Sequence, residues 1–278
     1  MSTEADSTQL ANLVRITHKY SFRSVMSWGL SALHGYYSRP GAFDDILTTA
    51  SSAPTPPHPL HPPTLPHTGH GLPVASSLPP TLEQITELAA LCECANLLDV
   101  TLVRWRRLIG EGRDLALAVT VGERFNLRPI VGLAYHALML RGKAAWDAER
   151  SLSRAQRVRL LAGYYALCKL SETLPAQPPP LTHSARCSTQ QRCAKAWGVV
   201  WRMVLDLGLE TKFGLMREDM LGKIMLAESM MKALLEQEIP SQGFLEDMPH
   251  CRKGALLATT IRMRELKDSL ADYFSDDF

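Results

Sequence analysis

The sequence predicts an all-α protein built from stacked helix-turn-helix pairs. Apolar residues recur at helical spacing through most of the chain, and the alternating pattern that is typical of strands is hard to find. The stretch LEQITELAALCECANLLDVTLVRW (residues 82–105) shows this best, because two amphipathic arms meet there at a corner near Cys94–Asn96. The same pattern occurs twice more in the chain, which indicates a repeat.

The three copies of this repeat align without a gap. The first copy is LANLVRITHKYSFRSVMSWGLSAL (residues 10–33), and the others lie 72 and 105 positions later. Nine positions are apolar in every copy; in the first they are Leu10, Leu13, Ile16, Tyr20, Phe22, Val25, Trp28, Leu30 and Leu33. Because one helix pair cannot bury its apolar face alone, the recurrence predicts that the pairs stack. The alternative is that amphipathic helices of similar length align by chance.

Composition limits the class of protein and of partner. The chain has 278 residues, of which 46% are hydrophobic and 21% charged, so one or two ordinary globular domains are expected. A net charge of +2 and the lack of a long apolar run predict no membrane partner. The polar N-terminus has no signal-peptide core, and six cysteines in so long a chain are typical of reduced thiols. We therefore expect the protein to be located in the cytoplasm or the nucleus.

In chain order, the sequence predicts five segments. They are a first helix pair (1–37), a disordered linker rich in Pro, His and Ser (38–80), a helical repeat extension (81–174), a Pro-rich loop (175–190) and C-terminal helices (191–278). Thr81, with Gln84 three residues later, predicts a capping box, and Ser153 predicts the start of a helix that runs to about Leu174. Later helices are expected near 217–237 and 253–274.

The helix after the Pro-rich loop carries an apolar stripe at steps of three and four residues: Cys193, Trp197, Val200, Trp201, Val204 and Leu205. We expect both indoles to be buried, with the Leu161–Tyr165–Cys168 stripe of the preceding helix as their counter-surface. The methionines that follow, from Met216 to Met231, are interpreted as core residues, although methionine surfaces also form adaptable grooves for partners.

His183, Cys187 and Cys193 are the candidate metal ligands at close spacing, and Cys168 or His136 is the candidate for a distant fourth. The spacing is not that of a standard zinc finger, and Cys193 falls on the apolar stripe, so we expect no bound metal or other cofactor. Linker histidines (His58, His61, His67 and His70) and the Cys92–Cys94 pair suggest neither a fixed metal site nor redox chemistry.

Two arginine clusters raise the possibility of nucleic-acid binding: Arg104, Arg106, Arg107 and Arg113 around Trp105, and Arg150, Arg154, Arg157 and Arg159. Acidic residues are equally frequent overall, and arginines at helical spacing usually form a solvated face, so a nucleic-acid partner is not expected. There is no glycine-rich phosphate loop and no combination of nucleophile, base and acid. We therefore expect no catalytic residues and no enzymatic activity.

The first copy resembles the C-terminal helical half of a BTB/POZ domain, in which a leucine-rich helix runs into a His/Lys-Tyr corner, here His18, Lys19 and Tyr20. The later part is similar to the helical extension of BTB-domain proteins of mushroom-forming fungi. That similarity rests on Leu160–Leu161-x-Gly163–Tyr164–Tyr165, Pro178–Pro180, His183–Ser184, Cys187, Cys193, Ala196–Trp197 and Trp201. It implies self-association or cullin binding.

The chain enters the BTB pattern only at Leu10, so the strands and helices that form the dimer interface of that family are not expected here. A truncated gene model or a degenerate domain explains this departure. The leading functional hypothesis is a non-catalytic protein-interaction module, an adaptor or a scaffold, whose partners remain open. The alternative is a regulatory protein that binds metal through His183, Cys187 and Cys193 or nucleic acid through the arginine clusters.

Overall fold

A computed structural model of the chain describes residues 6–43, 79–206, 216, 218–236, 248 and 250–275. Every regular element in these residues is helical, as predicted. The α-helices are α1 Ser7–Lys19, α2 Arg23–Tyr37, α3 Leu82–Leu91, α4 Ala95–Gly110, α5 Leu115–Arg124, α6 Arg128–Leu140, α7 Lys143–Ala148, α8 Arg154–Thr173, α9 Gln190–Asp206, α10 Met220–Glu236 and α11 Arg252–Asp268. Two 3₁₀ helices span Leu174–Ala176 and Leu270–Phe274.

The three copies of the repeat have the same backbone geometry at their corners. Three hairpins, α1–α2, α3–α4 and α5–α6, turn through one residue in the left-handed conformation: Ser21 (φ 60°), Glu93 (φ 51°) and Asn126 (φ 52°). These residues are separated by the predicted shifts of 72 and 105 positions. The residue that follows each of them donates its N–H to the carbonyl five residues earlier, so the three corners share one hydrogen-bond pattern. Pro129 lies in the first turn of α6, where N–H groups have no partner within the helix, so the N–H that proline lacks costs no helical hydrogen bond.

Both predicted helix starts are confirmed. The side chain of Thr81 accepts the Gln84 N–H at 3.3 Å, and the Gln84 side chain accepts the Thr81 N–H at 3.1 Å. Ser153 and Gln156 form the same reciprocal pair at 3.2 and 2.9 Å. Such capping boxes satisfy two donors that an α-helix leaves unpaired at its N-terminus, which explains why α3 and α8 begin there.

The chain divides into two compact units, Met1–Leu108 and Ile109–Phe278. This division places the second and third hairpins in different units, whereas the sequence predicts a single extension (81–174) that contains both. In the first unit, the buried Trp105 donates its indole N–H to Thr86 at 2.9 Å. Tyr37 stacks on Phe43 with 4.9 Å between the ring centroids, so the first residues of the predicted linker are packed. Most of that linker lies outside the described residues.

In the second unit, the 3₁₀ helix Leu270–Phe274 packs against α6 and α8. The Phe274 ring stacks on Tyr135 with centroids 5.1 Å apart, and it lies so close to Gly163 that an added Cβ would come within 2.1 Å of the ring. A side chain of any size at position 163 would therefore push this C-terminal segment away. Glycine is required here by the contact and not by a turn.

Trp197 and Trp201 are buried, as predicted, with 3% and 1% of their surface exposed. Their predicted counter-surface is wrong, because Leu161 and Tyr165 are 54% and 72% exposed. The α9 helix packs instead on the Leu174–Ala176 turn and on α10. The α8 helix buries the opposite face, which includes Gln156, Leu160, Gly163 and Leu167. Both faces of α8 carry apolar residues, and periodicity does not tell which of them is covered.

Burial of two other apolar sets also differs from the expectation. In the first hairpin Ile16, Tyr20, Phe22, Val25 and Trp28 are exposed, although the equivalent residues of the other two hairpins are buried or half-buried. Among the methionines, Met220 and Met231 are buried and Met216 and Met225 are exposed, so only part of that set belongs to the core. Within the described residues, none of the helices combines the length and the hydropathy that crossing a bilayer demands.

Candidate metal centre

Four side chains of ligand type meet in the second unit: His183, Cys187, Cys193 and Cys251. The Cys187 sulfur lies 3.4 Å from the Cys193 sulfur and 3.7 Å from His183 Nδ1. The Cys251 sulfur lies 3.5 Å from the same Nδ1 atom. All four candidate ligand atoms are within 4.8 Å of one another, and we refer to them as the Cys₃His cluster.

Three of the six separations are close to those of a tetrahedral zinc site. With Zn–S bonds of about 2.3 Å and a Zn–N bond of about 2.0–2.1 Å, tetrahedral geometry places two sulfurs about 3.8 Å apart and a sulfur and a nitrogen about 3.6 Å apart. The observed distances of 3.4, 3.7 and 3.5 Å are close to these values. A disulfide is excluded in this arrangement, since the S–S bond is about 2.05 Å long and all six cysteines are free.

Local structure positions the two middle ligands. Cys187 closes a tight turn by donating its backbone N–H to the Ser184 carbonyl at 2.9 Å. Cys193 lies in the first turn of α9, where its N–H reaches the Thr189 carbonyl at 3.0 Å. The apolar stripe of α9 thus begins with a sulfur that faces the cluster. A stripe position and a ligand role are compatible because Cys193 is the first buried residue of that helix.

The fourth ligand comes from a distant part of the chain. Cys251 directly precedes α11, and its backbone carbonyl accepts the first helical hydrogen bond, from Ala255. The Pro-rich loop reaches it because Gly254 has no side chain: a Cβ at that position would lie 2.2 Å from the Thr182 carbonyl oxygen. This close approach places His183 beside Cys251, 68 residues later in the sequence.

Electrostatics in the cluster favour a cation. Cys193 lies in the first turn of α9 and Cys251 directly precedes α11, so both are near a helix N-terminus. Burial opposes ionisation of Cys187, but hydrogen bonds to its sulfur from Cys193, the Thr189 N–H and Cys251 outweigh burial and lower its pKa. Burial and the neighbouring Cys187 raise the pKa of Cys193. Three thiolates at this spacing repel one another unless a divalent cation lies among them.

The cluster can hold a metal but leaves no position for a substrate. Four protein ligands complete the tetrahedral shell of Zn²⁺, whereas catalytic zinc sites keep one position open for water or substrate. The expected role is therefore structural. The cluster would join the Pro-rich loop, the start of α9 and the start of α11 through a single ion.

The structure brings together only some of the candidate metal ligands that the sequence suggested. His183, Cys187 and Cys193 are together, but neither candidate for the fourth ligand joins them. Cys168 donates to the Glu218 carboxylate at 3.8 Å, and the buried His136 lies 3.6 Å from Asp219. Cys251 was missed, because its separation from the other ligands follows no spacing rule. Its only signal in the sequence is its place just before a predicted helix.

Several arginines of the two clusters make contacts within the chain. Arg157 donates to the carbonyls of Trp146 and Glu149, and Arg159 forms a 2.7 Å ion pair with Glu123. Arg104 donates to the Phe43 carbonyl at 3.1 Å, at the edge of a cavity of about 350 Å³ in the first unit. These contacts give the arginines a structural role in both units.

Comparisons of the chain with protein-family models, with curated proteins and with solved structures gave no match. The resemblance to BTB-domain proteins therefore stays a prediction.

Proposed function

We propose that this protein is a non-catalytic interaction module whose second unit is held together by one structural zinc ion. The observation that carries the proposal is the approach of His183 Nδ1 and the sulfurs of Cys187, Cys193 and Cys251 to within 4.8 Å of one another. Three of these residues belong to a single loop-and-helix segment, and the fourth lies 58 residues further along the chain than Cys193.

Zinc is the metal that this ligand set fits best. Three thiolates and one imidazole in a tetrahedral arrangement are a common structural zinc set, and hard cations such as Mg²⁺ and Ca²⁺ prefer oxygen ligands. Three thiolates and a neutral imidazole leave a net charge of about −1 around Zn²⁺. The N-termini of α9 and α11 compensate that charge. A reducing compartment, the cytoplasm or the nucleus, keeps the thiols available.

The zinc ion would stabilise a part of the fold that has few other supports. The chain from 177 to 189 contains no helix or strand, and it carries two of the four ligands. Trp197 donates its indole N–H to the Pro179 carbonyl at 2.8 Å, near the beginning of this segment, and Trp201 donates to the Leu174 carbonyl at 2.9 Å, in the 3₁₀ helix just before it. The metal would fix the other end. Structural zinc binding contributes about 10–16 kcal/mol in small zinc domains, so loss of the ion is expected to release this loop.

Metal analysis of the purified chain tests the proposal. The protein is prepared without a polyhistidine tag or chelator, and elemental analysis is expected to give about one zinc per chain. Cys251→Ser is the decisive variant, because only the tertiary structure assigns that residue to the cluster; its zinc content should fall to near zero. Cys168→Ser is the matched control and should retain the metal, since its sulfur contacts Glu218 instead.

Cobalt substitution provides a second measurement. A tetrahedral Cys₃His site that binds Co²⁺ gives intense visible d–d bands and thiolate-to-cobalt charge-transfer bands. We expect these bands in the wild type and in Cys168→Ser, and their loss in Cys251→Ser. Zinc that is substoichiometric, or that remains bound in Cys251→Ser, would refute a metal centre at this cluster.

The interaction half of the proposal is supported by the exposed stripe on α8. Val158, Leu161 and Tyr165 are 56%, 54% and 72% exposed and lie at helical spacing on one face. Apolar residues at such steps are what an amphipathic partner helix packs against. An adaptor for ubiquitin ligation is the version that the BTB resemblance suggests.

Affinity capture with quantitative mass spectrometry tests this half. The wild type is compared with a Leu161→Ser/Tyr165→Ser variant, and partners that depend on the stripe should be depleted at least severalfold in the variant. A Val199→Ser variant removes a side chain of similar exposure from α9 and serves as the control. If wild type and stripe variant recover the same proteins, the α8 stripe is not the interaction surface, and absence of a cullin removes the adaptor version.

A further inference from the structure

The corner end of the first hairpin displays large apolar side chains to solvent. Ile16, Tyr20, Phe22, Val25 and Trp28, which we call the aromatic tip, are between 43% and 61% exposed. The Tyr20 and Phe22 rings lie side by side with 6.5 Å between centroids. Two aromatic rings are thus adjacent at the corner, and Ile16, Val25 and Trp28 lie within two helical turns of it. Single exposed apolar residues are ordinary on protein surfaces, but a contiguous group is typical of an interaction site.

The repeat shows that these positions are normally covered. The residues equivalent to Ile16 and Val25 are Leu88 and Leu97 in the second hairpin, which are 4% and 0% exposed. In the third hairpin they are Val121 and Ile130, both fully buried. The three corners share one backbone geometry, so the difference lies in what surrounds them. In the first hairpin, none of the described residues covers the tip.

The tip is a free end and not a groove. Every residue from 18 to 25 is exposed, which includes the last turn of α1, the corner and the first turn of α2. A helical partner packs best into a concave surface between helices, whereas a projecting end fits a deformable surface into which it can insert. This shape argues against a rigid protein groove as the surface on which the tip rests.

The charged side chains of the first hairpin itself have one sign. Residues 7–37 contain no aspartate or glutamate, and their three Lys and Arg residues, Arg15, Lys19 and Arg23, lie within two helical turns of the corner. The Lys19 Nζ atom lies 5.6 Å from the centroid of the Tyr20 ring, so charge and aromatic surface are adjacent. The whole chain has a net charge of only +2, and this average conceals the local excess. The expectation of no membrane partner rests on that average and on the lack of a long apolar run, and neither describes the local charge of the first hairpin.

We propose that the aromatic tip docks on an anionic lipid bilayer, with Tyr20, Phe22 and Trp28 at the level of the headgroups and Lys19 and Arg23 against the lipid phosphates. Aromatic side chains favour the membrane interface because one end of them is apolar and the other, in Tyr and Trp, is polar. Basic residues near a bilayer are attracted by anionic lipids, each by about fivefold in the partition coefficient. The contact is peripheral and requires no helix that crosses the bilayer.

Intrinsic fluorescence offers a selective reporter of this contact. The chain has five tryptophans, and Trp28 is 58% exposed while Trp105, Trp146, Trp197 and Trp201 are at most 6% exposed. Insertion of the tip should therefore shift the Trp28 emission to shorter wavelength. Lipids that carry bromine on the acyl chains should quench it. The buried indoles contribute a constant background.

The experiment uses the full chain with vesicles of phosphatidylcholine alone and of phosphatidylcholine and phosphatidylserine at about 7:3. We expect co-sedimentation and quenching with the mixed vesicles, little binding to phosphatidylcholine alone, and release at about 1 M salt, where the Debye length is about 3 Å. Trp28→Phe should still bind while the quenching signal is lost.

A Tyr20→Ser/Phe22→Ser variant should lose vesicle binding by at least tenfold, and Lys19→Glu/Arg23→Glu by more. Val199→Ser on α9 removes a similarly exposed apolar side chain far along the sequence and should bind as the wild type does. All three changes affect exposed side chains, and a thermal melt of each confirms that it folds. Failure of the wild type to bind the mixed vesicles overturns the proposal, as does binding that the tip variants leave unchanged. If the tip binds only a protein, the wild type will fail to bind the mixed vesicles.

Discussion

Replacing Trp201 by alanine is the sharpest test of how the second unit is held together. The indole is 1% exposed and donates its N–H to the Leu174 carbonyl at 2.9 Å. A buried tryptophan removes about 200 Å² from water, which at about 25 cal/mol per Å² corresponds to about 5 kcal/mol. The carbonyl that loses its donor adds about 1–2 kcal/mol, while collapse of the cavity and a compact unfolded chain reduce the total.

We therefore expect Trp201→Ala to lower the free energy of unfolding by about 4 kcal/mol, as is usual for a large residue removed from a core. For a unit of this size, that corresponds to a decrease in Tm of about 8–16 °C. Circular dichroism melts and urea titrations measure both quantities. Val199→Ala, on the exposed side of the same helix, is the control and should change the stability by less than about 0.5 kcal/mol.

The same variant links the core to the metal centre. Trp201 holds the 3₁₀ helix that leads into the loop with His183 and Cys187, so its loss should make the melting temperature more sensitive to chelators than in the wild type. Trp201→Phe retains most of the apolar surface but not the donor, and a decrease of about 1–2 kcal/mol is expected. A Trp201→Ala protein that melts within about 2 °C of the wild type would contradict this account of the core.

Two further predictions follow from close packing and from a buried histidine. Gly163→Ala should destabilise the second unit by about 1–3 kcal/mol in a urea titration, because the new methyl group would overlap the Phe274 ring; an unchanged midpoint would show that this contact is not tight. Burial lowers the pKa of His136 below its usual 6.5, although the nearby Asp219 opposes this effect. The unfolded chain therefore binds more protons than the folded chain below about pH 6.5, and stability falls as the pH decreases through that range. In thermal melts at several pH values, the melting temperature of His136→Gln should depend less on pH than that of the wild type. The two proteins have the same candidate metal ligands, so that contribution is equal in both. An equal dependence on pH would exclude His136 as the cause.

The local parts of the fold were predictable from the sequence alone. Helix starts at Thr81 and Ser153 depend on side chains three residues apart, and the three corners depend on hydrogen bonds that span at most five residues. The buried stripe of α9 was predictable as well, since most of its large apolar residues share one face. All of these features involve interactions between near neighbours in the chain, which a sequence displays directly.

The candidate site was only partly predictable. Three ligands lie within eleven residues, from His183 to Cys193, and their spacing drew attention although it matched no standard finger. Cys251 entered the cluster only through the packing of α11 against the loop, and Gly254 permits that contact by having no side chain. No pattern of spacing encodes a contact between residues 68 positions apart.

Burial of the apolar faces was likewise decided by tertiary structure. The sequence established that α8 and the first hairpin have apolar residues at helical spacing, and it placed Tyr165 and Trp28 among them. Periodicity determines which side chains share a face of a helix, because it is a property of one helix. Whether another element covers that face depends on where distant segments pack, and only the folded chain shows that Tyr165 and Trp28 remain exposed.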